Sequence, residues 1–183
     1  ENLSDLFCDY SEWKNHIKNW KNEFNDFDKI ENMEDGLNPS IFIKNLSLHS
    51  SANTKLFIDT GCSIAWMMQK FEVKKSQRLF HDFNNTAMGW ALPASIGGYL
   101  ANHKNTICIT GDGSFMMNIQ ELATINHYKI PITIIIINNG GYSMIKQTQD
   151  QWLNSNYLAS SPEGGVGFPS FQEVGKSFGI ESH

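Results

Sequence analysis

Cysteine is scarce. Cys8, Cys62 and Cys108 are the only three in 183 residues, and no two of them make a C-x-x-C. An odd number of scattered thiols excludes a disulfide framework and a cysteine-built zinc site. The six histidines are equally dispersed, with no H-x-x-x-H pair, so a histidine metal centre is not expected. Basic charge is also in short supply: 14 Lys and Arg stand against 19 Asp and Glu, for a net charge of -5. Without a basic run or face, nucleic acid is not an expected partner. Long apolar runs are missing as well. The longest, residues 130–137, is strand-sized and contains Pro131, whereas a membrane span needs about 20 residues. No signal-peptide pattern opens the chain. The sequence starts at Glu1 rather than Met and stops at His183 just after a helix-like stretch. The expectation is a cytoplasmic piece of a longer polypeptide, with no membrane partner.

What is present is alternation. Tyr10, Trp13, Ile17, Trp20 and Phe24 recur at helical spacing, which predicts an amphipathic helix docked on a core and capped by Asp9 or Ser11. Residues 25–38 are polar and acidic and read as a linker. Asn38-Pro39 gives an N-cap followed by proline at the first helical position, opening a helix to about Leu48. Then "KLFIDTG" (55–61), "RLFHDF" (78–83), "TICITGDG" (106–113) and "ITIIII" (132–137) read as strands. The last of these is β-branched throughout and is expected to be buried on both faces. Between the strands lie "CSIAWMMQKF", the small-residue-rich "AMGWALPASIGGYLAN" and "MMNIQELATINHY", each read as one helix. "GYSMIKQTQ" starts another. A Gly/Pro/Ser loop at 159–168 leads to a helix entered through Pro169. This order predicts an α/β domain with an open parallel sheet flanked by helices. Its bounds are placed at 38–183, truncated at the C-terminus, with 1–37 a leading helix and linker from a preceding domain.

In such a sheet, ligands sit at the C-terminal ends of the strands. Asp112 and Asn139 end two strands on that rim. One carboxylate, one carboxamide and a backbone carbonyl cannot enclose a hard cation. They suit Mg²⁺ whose other positions are filled by phosphate oxygens and water. Gly111 and Gly113 allow close approach of the backbone to a phosphate. A helix starting near Ser114 would point free N–H groups at it. A lone G-D-G is an ordinary turn; strand, GDG, helix, strand and NN in sequence make a stronger signal.

"GDGSF" followed by "NN" after a helix and a strand resembles the thiamine diphosphate signature. "MGWALPASIGG", "GDGSFMMNIQELATI" and "NNGGYSMIKQ" together resemble the acetolactate synthase-like branch of the thiamine enzymes, and the likeness covers most of the chain. The chain is identified by this resemblance as the C-terminal, diphosphate-binding domain of such an enzyme. The resemblance implies that Asp112 and Asn139 hold Mg²⁺ through their side chains and Gly141 through its carbonyl. Gly113 and Ser114 would give N–H groups to the diphosphate. Met88 matches the apolar residue that props the cofactor into its bent shape, and Thr86 would offer a carbonyl to the aminopyrimidine. Ser143 and Met144 would line the diphosphate and thiazolium; taken alone, Met88 reads as a core methionine, and for Met144 core packing stays open beside cofactor contact. The catalytic glutamate of the family belongs to a pyrimidine-binding domain of a partner subunit, and no segment here matches it. The implied enzyme decarboxylates a 2-oxo acid and passes the acyl unit to an acceptor. It works as a homodimer or higher homo-oligomer, with FAD an optional further cofactor of the full-length protein. This chain alone would be inactive.

Three departures bear on substrate choice. The turn before "MG" is "DFNNTA" rather than glycine-rich, Thr148 stands where acetolactate synthases carry a pocket Trp, and "SSPEGGVGFPSF" lacks the charge expected there. They keep open a related decarboxylase, a carboligase for a sugar-derived or other polar acceptor, and a non-catalytic cofactor-binding module. A Rossmann dinucleotide site fails because "TGDGSFMM" is not G-x-G-x-x-G.

Overall fold

The computed structural model describes residues 9–24 and 36–183, so most of the linker predicted at 25–38 lies outside the described residues. The chain divides into two compact units between Asn38 and Pro39. In the first, helix α1 (Ser11–Glu23) begins where the Asp9 carboxylate accepts the Ser11 N–H at 2.9 Å. Trp13 and Trp20 meet edge to face at 5.5 Å on its apolar stripe. No residue of α1 is buried, so the predicted docking on a core is not seen within this unit.

The second unit is a four-stranded, all-parallel sheet in the order β2-β1-β3-β4, formed by β1 (Lys55–Ile58), β2 (Arg78–His81), β3 (Thr106–Gly111) and β4 (Thr133–Ile137). Helix α2 (Pro39–His49) starts at the proline, as its fixed φ favours. Helices α3 (Cys62–Lys70) and α4 (Ala91–Leu100) lie in the connections from β1 to β2 and from β2 to β3. Alternate strand residues face opposite layers. Leu56, Ile58 and Ile109 pack with Ile43 of α2 and Met67 of α3. Phe57 and Cys108 pack with Leu92 and Ile96 of α4. A Cβ at Gly98 would lie 2.2 Å from the Phe57 ring, so the small-residue face of α4 is what lets it sit close to the sheet.

The structure corrects three expectations. The stretch 116–128 is not one helix: α5 (Asp112–Met117) ends at Asn118, and α6 (Glu121–Tyr128) restarts after it. Asn118 leaves helical geometry while its side chain bonds a distant carbonyl. β4 is not buried on both faces; Thr133 is exposed and its four isoleucines are half-buried, because among the described strands it is an edge, paired only with β3. The last helix, α8 (Phe171–Ser177), is entered through Ser170, whose hydroxyl accepts the Glu173 N–H, and not at Pro169. Before it, α7 (Ser143–Trp152) follows β4.

Candidate functional site

The chain leaves β1 toward β2 on one side and returns to β3 on the other, so the topological switch lies between the ends of β1 and β3. A crevice is expected there. A cavity of about 470 Å³ opens at that point, lined by residues from the ends of β1, β3 and β4, from the turn before α4 and from the start of α7. Thr86, Met88, Gly111, Asp112, Gly113, Ser114, Asn139, Gly141, Ser143 and Met144 all line it. Thr148 does not: it is exposed one turn further along α7, its hydroxyl donating to the Met144 carbonyl at 3.2 Å.

Asp112 is nearly buried, at 3% exposure. Its Oδ2 accepts the N–H groups of Asn139, Gly140 and Gly141 at 3.0, 2.7 and 3.2 Å, and its Oδ1 accepts that of Gly113 at 2.7 Å. The carboxylate thus folds the "NNGG" turn around itself. The Asn139 amide stands with one end 2.7 Å from Ser143 Oγ. Its other end is 2.7 Å from the Gly141 carbonyl oxygen and 3.3 Å from Asp112 Oδ2. With oxygen at that end, three acceptors converge, an arrangement that a cation between them relieves. With the amide turned over, its NH₂ donates to both oxygens. Among the described residues no cluster of three His, Cys, Asp or Glu could hold a metal. This set therefore fits a hard cation only if outside oxygens complete it.

Backbone packing fixes the turn. A Cβ at Gly141 would meet the Ser160 carbonyl oxygen at 2.5 Å, and that same carbonyl accepts the Tyr142 N–H at 3.0 Å. Gly113 is covered by the Tyr142 ring, 2.1 Å from where a Cβ would be. Nothing lies within 4 Å of a Cβ at Gly111, which leaves room beside that backbone. On the other wall, Thr86 holds φ at 50°, a left-handed conformation that is strained for a β-branched residue. Its N–H donates to the Asp82 carbonyl at 2.9 Å, and Met88, two residues on, is 38% exposed.

Charge in the lining is one-sided: Asp112 is its only acid, and it contains no Lys, Arg or His. Ile64, Trp66, Phe83, Met144 and Ile145 supply an apolar wall. Cys62 joins it as a neutral thiol, since burial pushes its pKa up.

Sequence reasoning missed Asp59. It ends β1, is 1% exposed, and accepts four hydrogen bonds, from the N–H groups of Thr60, Gly89 and Ala91 and the hydroxyl of Thr110. Burial raises its pKa, outweighing those four donors, which act to lower it. The available signal was the strand-ending "DTG", which parallels "GDG" one strand away.

Comparison with known proteins shows the family. Residues 59–183 match the family model described as thiamine pyrophosphate enzyme, C-terminal TPP binding domain. An acetolactate synthase large subunit of Pyropia yezoensis is 33% identical over 172 residues, covering 93% of this chain and 28% of that protein. An acetolactate synthase of Arthrospira platensis is 35% identical over 154 residues, 84% of this chain and 26% of that one. The acetolactate synthase isozyme 2 large subunit of Escherichia coli K12 is 27% identical over 170 residues, 92% and 30% respectively. The chain spans less than a third of the length of these curated relatives. It belongs to the thiamine pyrophosphate enzyme family, through that family's C-terminal TPP-binding domain, in an acetolactate synthase-like form.

Proposed function

We propose that this domain, residues 38–183 with 1–37 as its lead-in, supplies the Mg²⁺-diphosphate half of an active site. The reaction is decarboxylation of a 2-oxo acid with transfer of the acyl unit to an acceptor. One observation carries the reading: around the Asn139 amide the cavity presents the Gly141 carbonyl oxygen and a single carboxylate, that of Asp112, but no cationic side chain. A diphosphate bound there needs a divalent cation as its counter-charge. Asp112, the Asn139 carboxamide oxygen and the Gly141 carbonyl would hold Mg²⁺. Ser114 and Ser143 would face the diphosphate. Gly113 does so only if its N–H leaves Asp112 Oδ1. When bound, thiamine diphosphate supplies the electron sink for loss of CO₂. Thr86 presents a strained backbone and Met88 an apolar support on the opposite wall, while Trp66, Phe83 and Ile64 add apolar surface.

The proton chemistry at the pyrimidine requires a carboxylate in reach. The only one in the lining is Asp112, already committed to the turn. The family resemblance implies that the glutamate belongs to a partner subunit of a homo-oligomer, here assigned to the cytoplasm, and the 183-residue chain alone should not turn over a 2-oxo acid. FAD in the full-length protein would bind elsewhere. Calorimetric titration of the full-length protein with thiamine diphosphate and Mg²⁺ tests the assignment. Asp112→Ala should weaken binding about a hundredfold or more, the scale at which metal-site residues act. Equal affinity in wild type and variant sinks it.

A further inference from the structure

Met88 stands on a turn, not on a helix or strand, and it is 38% exposed. A flexible side chain so placed can support a ligand only if its backbone is fixed. The next peptide supplies that fixation. The Gly89 N–H donates to Asp59 Oδ1 at 3.0 Å, and the Gly89 carbonyl accepts from Asn118 Nδ2 at 2.7 Å. Gly89 has φ +85°, and a Cβ there would come within 2.7 Å of Met117 Cβ and 2.9 Å of Asn118 Nδ2. The peptide is thus pressed onto the joint between α5 and α6. Asp59 extends the grip. Its Oδ2 accepts the Ala91 N–H at 3.3 Å, at the start of α4, and the Thr110 hydroxyl at 3.1 Å. Thr110 is two residues before Asp112. Neither Asp59 nor Asn118 lines the cavity.

We propose that Asp59 and Asn118 are positioning residues: together they clamp Gly89 from both sides, fix Met88 in the cavity wall, and tie that wall to the strand bearing Asp112. This rests on the reading of the cavity as a thiamine diphosphate site. The clamp also accounts for the break at Asn118, since an uninterrupted helix would not leave its side chain on the Gly89 carbonyl.

The test is a double-mutant cycle in the full-length protein with Mg²⁺ and thiamine diphosphate, read by calorimetric affinity and by near-ultraviolet circular dichroism of the bound cofactor. Asn118→Ala should weaken the cofactor about tenfold, the scale of coupling between contacting groups, and change its dichroism. In a Met88→Ala background the same replacement should cost less than about twofold. The isosteric Asp59→Asn, which turns one acceptor into a donor, should show the same dependence on Met88, and it guards against a folding failure of Asn118→Ala. Equal losses in both backgrounds with unchanged dichroism would mean that Asn118 and Asp59 act on the fold generally, and would overturn the clamp. Absence of cofactor binding by the wild-type protein would instead overturn the site reading, and the clamp with it.

Discussion

Asp59 and Asp112 end neighbouring strands of one sheet, at 1% and 3% exposure, and each collects four hydrogen bonds. Their surroundings separate them. The Asp59 donors come from three parts of the chain, the end of β1, the peptides at Gly89 and Ala91, and Thr110 of β3. Asp59 lies off the cavity, and Oδ2 is closed by Thr110. The Asp112 donors come from its own neighbour and the 139–141 turn, and its Oδ2 also meets the Asn139 amide beside the Gly141 carbonyl, on the cavity surface. Two carboxylates with the same hydrogen-bond count therefore serve differently. One ties distant segments together, and the other shapes a turn on the cavity surface. Burial and bond number alone do not separate the two; a place on the cavity surface does.

The comparison breaks most sharply on stability. Asp59→Ala removes the acceptor of the buried Gly89 and Ala91 N–H groups and of the half-buried Thr60 N–H, while the Thr110 hydroxyl keeps the Gly111 carbonyl at 3.2 Å. The expected loss is about 3 kcal/mol, since unsatisfied buried donors carry their desolvation cost. Asp112→Ala removes the acceptor of four N–H groups, but that of Gly140 keeps Asn138 Oδ1 at 3.2 Å and the 139–141 turn borders the cavity, so its loss should be about half as large. Urea unfolding of the 183-residue chain without ligands measures both. If Asp112→Ala proves the more damaging, the division into strut and ligand is wrong.

Why one aspartate could be read from sequence and the other not is a matter of distance along the chain. Asp112 sits in a local pattern of glycines, and its partner turn carries two asparagines after an apolar strand, residue types that are conspicuous at a strand end. Three of the four partners of Asp59 are 30, 32 and 51 residues away, and nothing local announces them. The same holds for Asn118, which breaks the predicted helix to reach a carbonyl 29 residues back. Periodicity gave the parallel sheet and its helices, because alternate residues such as Phe57 and Ile58 enter different cores. It could not give the half-burial of β4, which depends on what lies beyond Ile135 and Ile137 and not on their hydrophobicity. Thr148 was placed by family spacing, but the helix carries it to an exposed position beyond the cavity lining.

A smaller effect should appear in the pH dependence of Asp59. Burial holds its folded pKa above the ordinary 3.8. Between those two values the folded chain keeps a proton that the unfolded chain has lost. The resulting stabilisation is fully present below 3.8 and disappears as pH rises through the folded pKa. This runs opposite to the usual carboxylate in acid denaturation. The stability of wild type relative to Asp59→Asn should therefore fall with rising pH just above 3.8, by at most about 1.4 kcal/mol per pH unit for one proton, and then level off. Urea midpoints from pH 3.5 to pH 7 on both proteins give the slope (roughly the window that linkage dictates). A relative stability that rises with pH in that window would place the hydrogen bonds, not burial, in control of Asp59.

The smallest expected effect lies at Thr148, and it asks whether the first turns of α7 extend the Asp112 side of the cavity toward substrate. Thr148 and Met144 are four residues apart, hence on one helix face, and the Thr148 hydroxyl is bonded to the Met144 carbonyl. Met144 lines the cavity and Thr148 does not. Side chains on a helix lean toward its N-terminus, so a larger residue at 148 would lie over Met144 toward the cavity mouth, where threonine is too short to reach. We propose that Thr148 leaves this mouth open to a bulkier or more hydroxylated acceptor. Thr148→Trp in the full-length protein should shift selectivity several-fold toward 2-oxobutyrate over a polar aldehyde or ketone, with pyruvate as donor; discrimination by an apolar wall is worth about 1–3 kcal/mol at most. The affinity for thiamine diphosphate should stay within about twofold, because Thr148 lies outside the cavity lining and its hydroxyl bonds a backbone carbonyl, that of Met144, and no residue assigned to the cation. Competition kinetics read the first quantity and calorimetry the second. Unchanged selectivity would remove Thr148 from the acceptor pocket, while a large loss of cofactor affinity would show that α7 serves the diphosphate side further along its length than the cavity lining indicates.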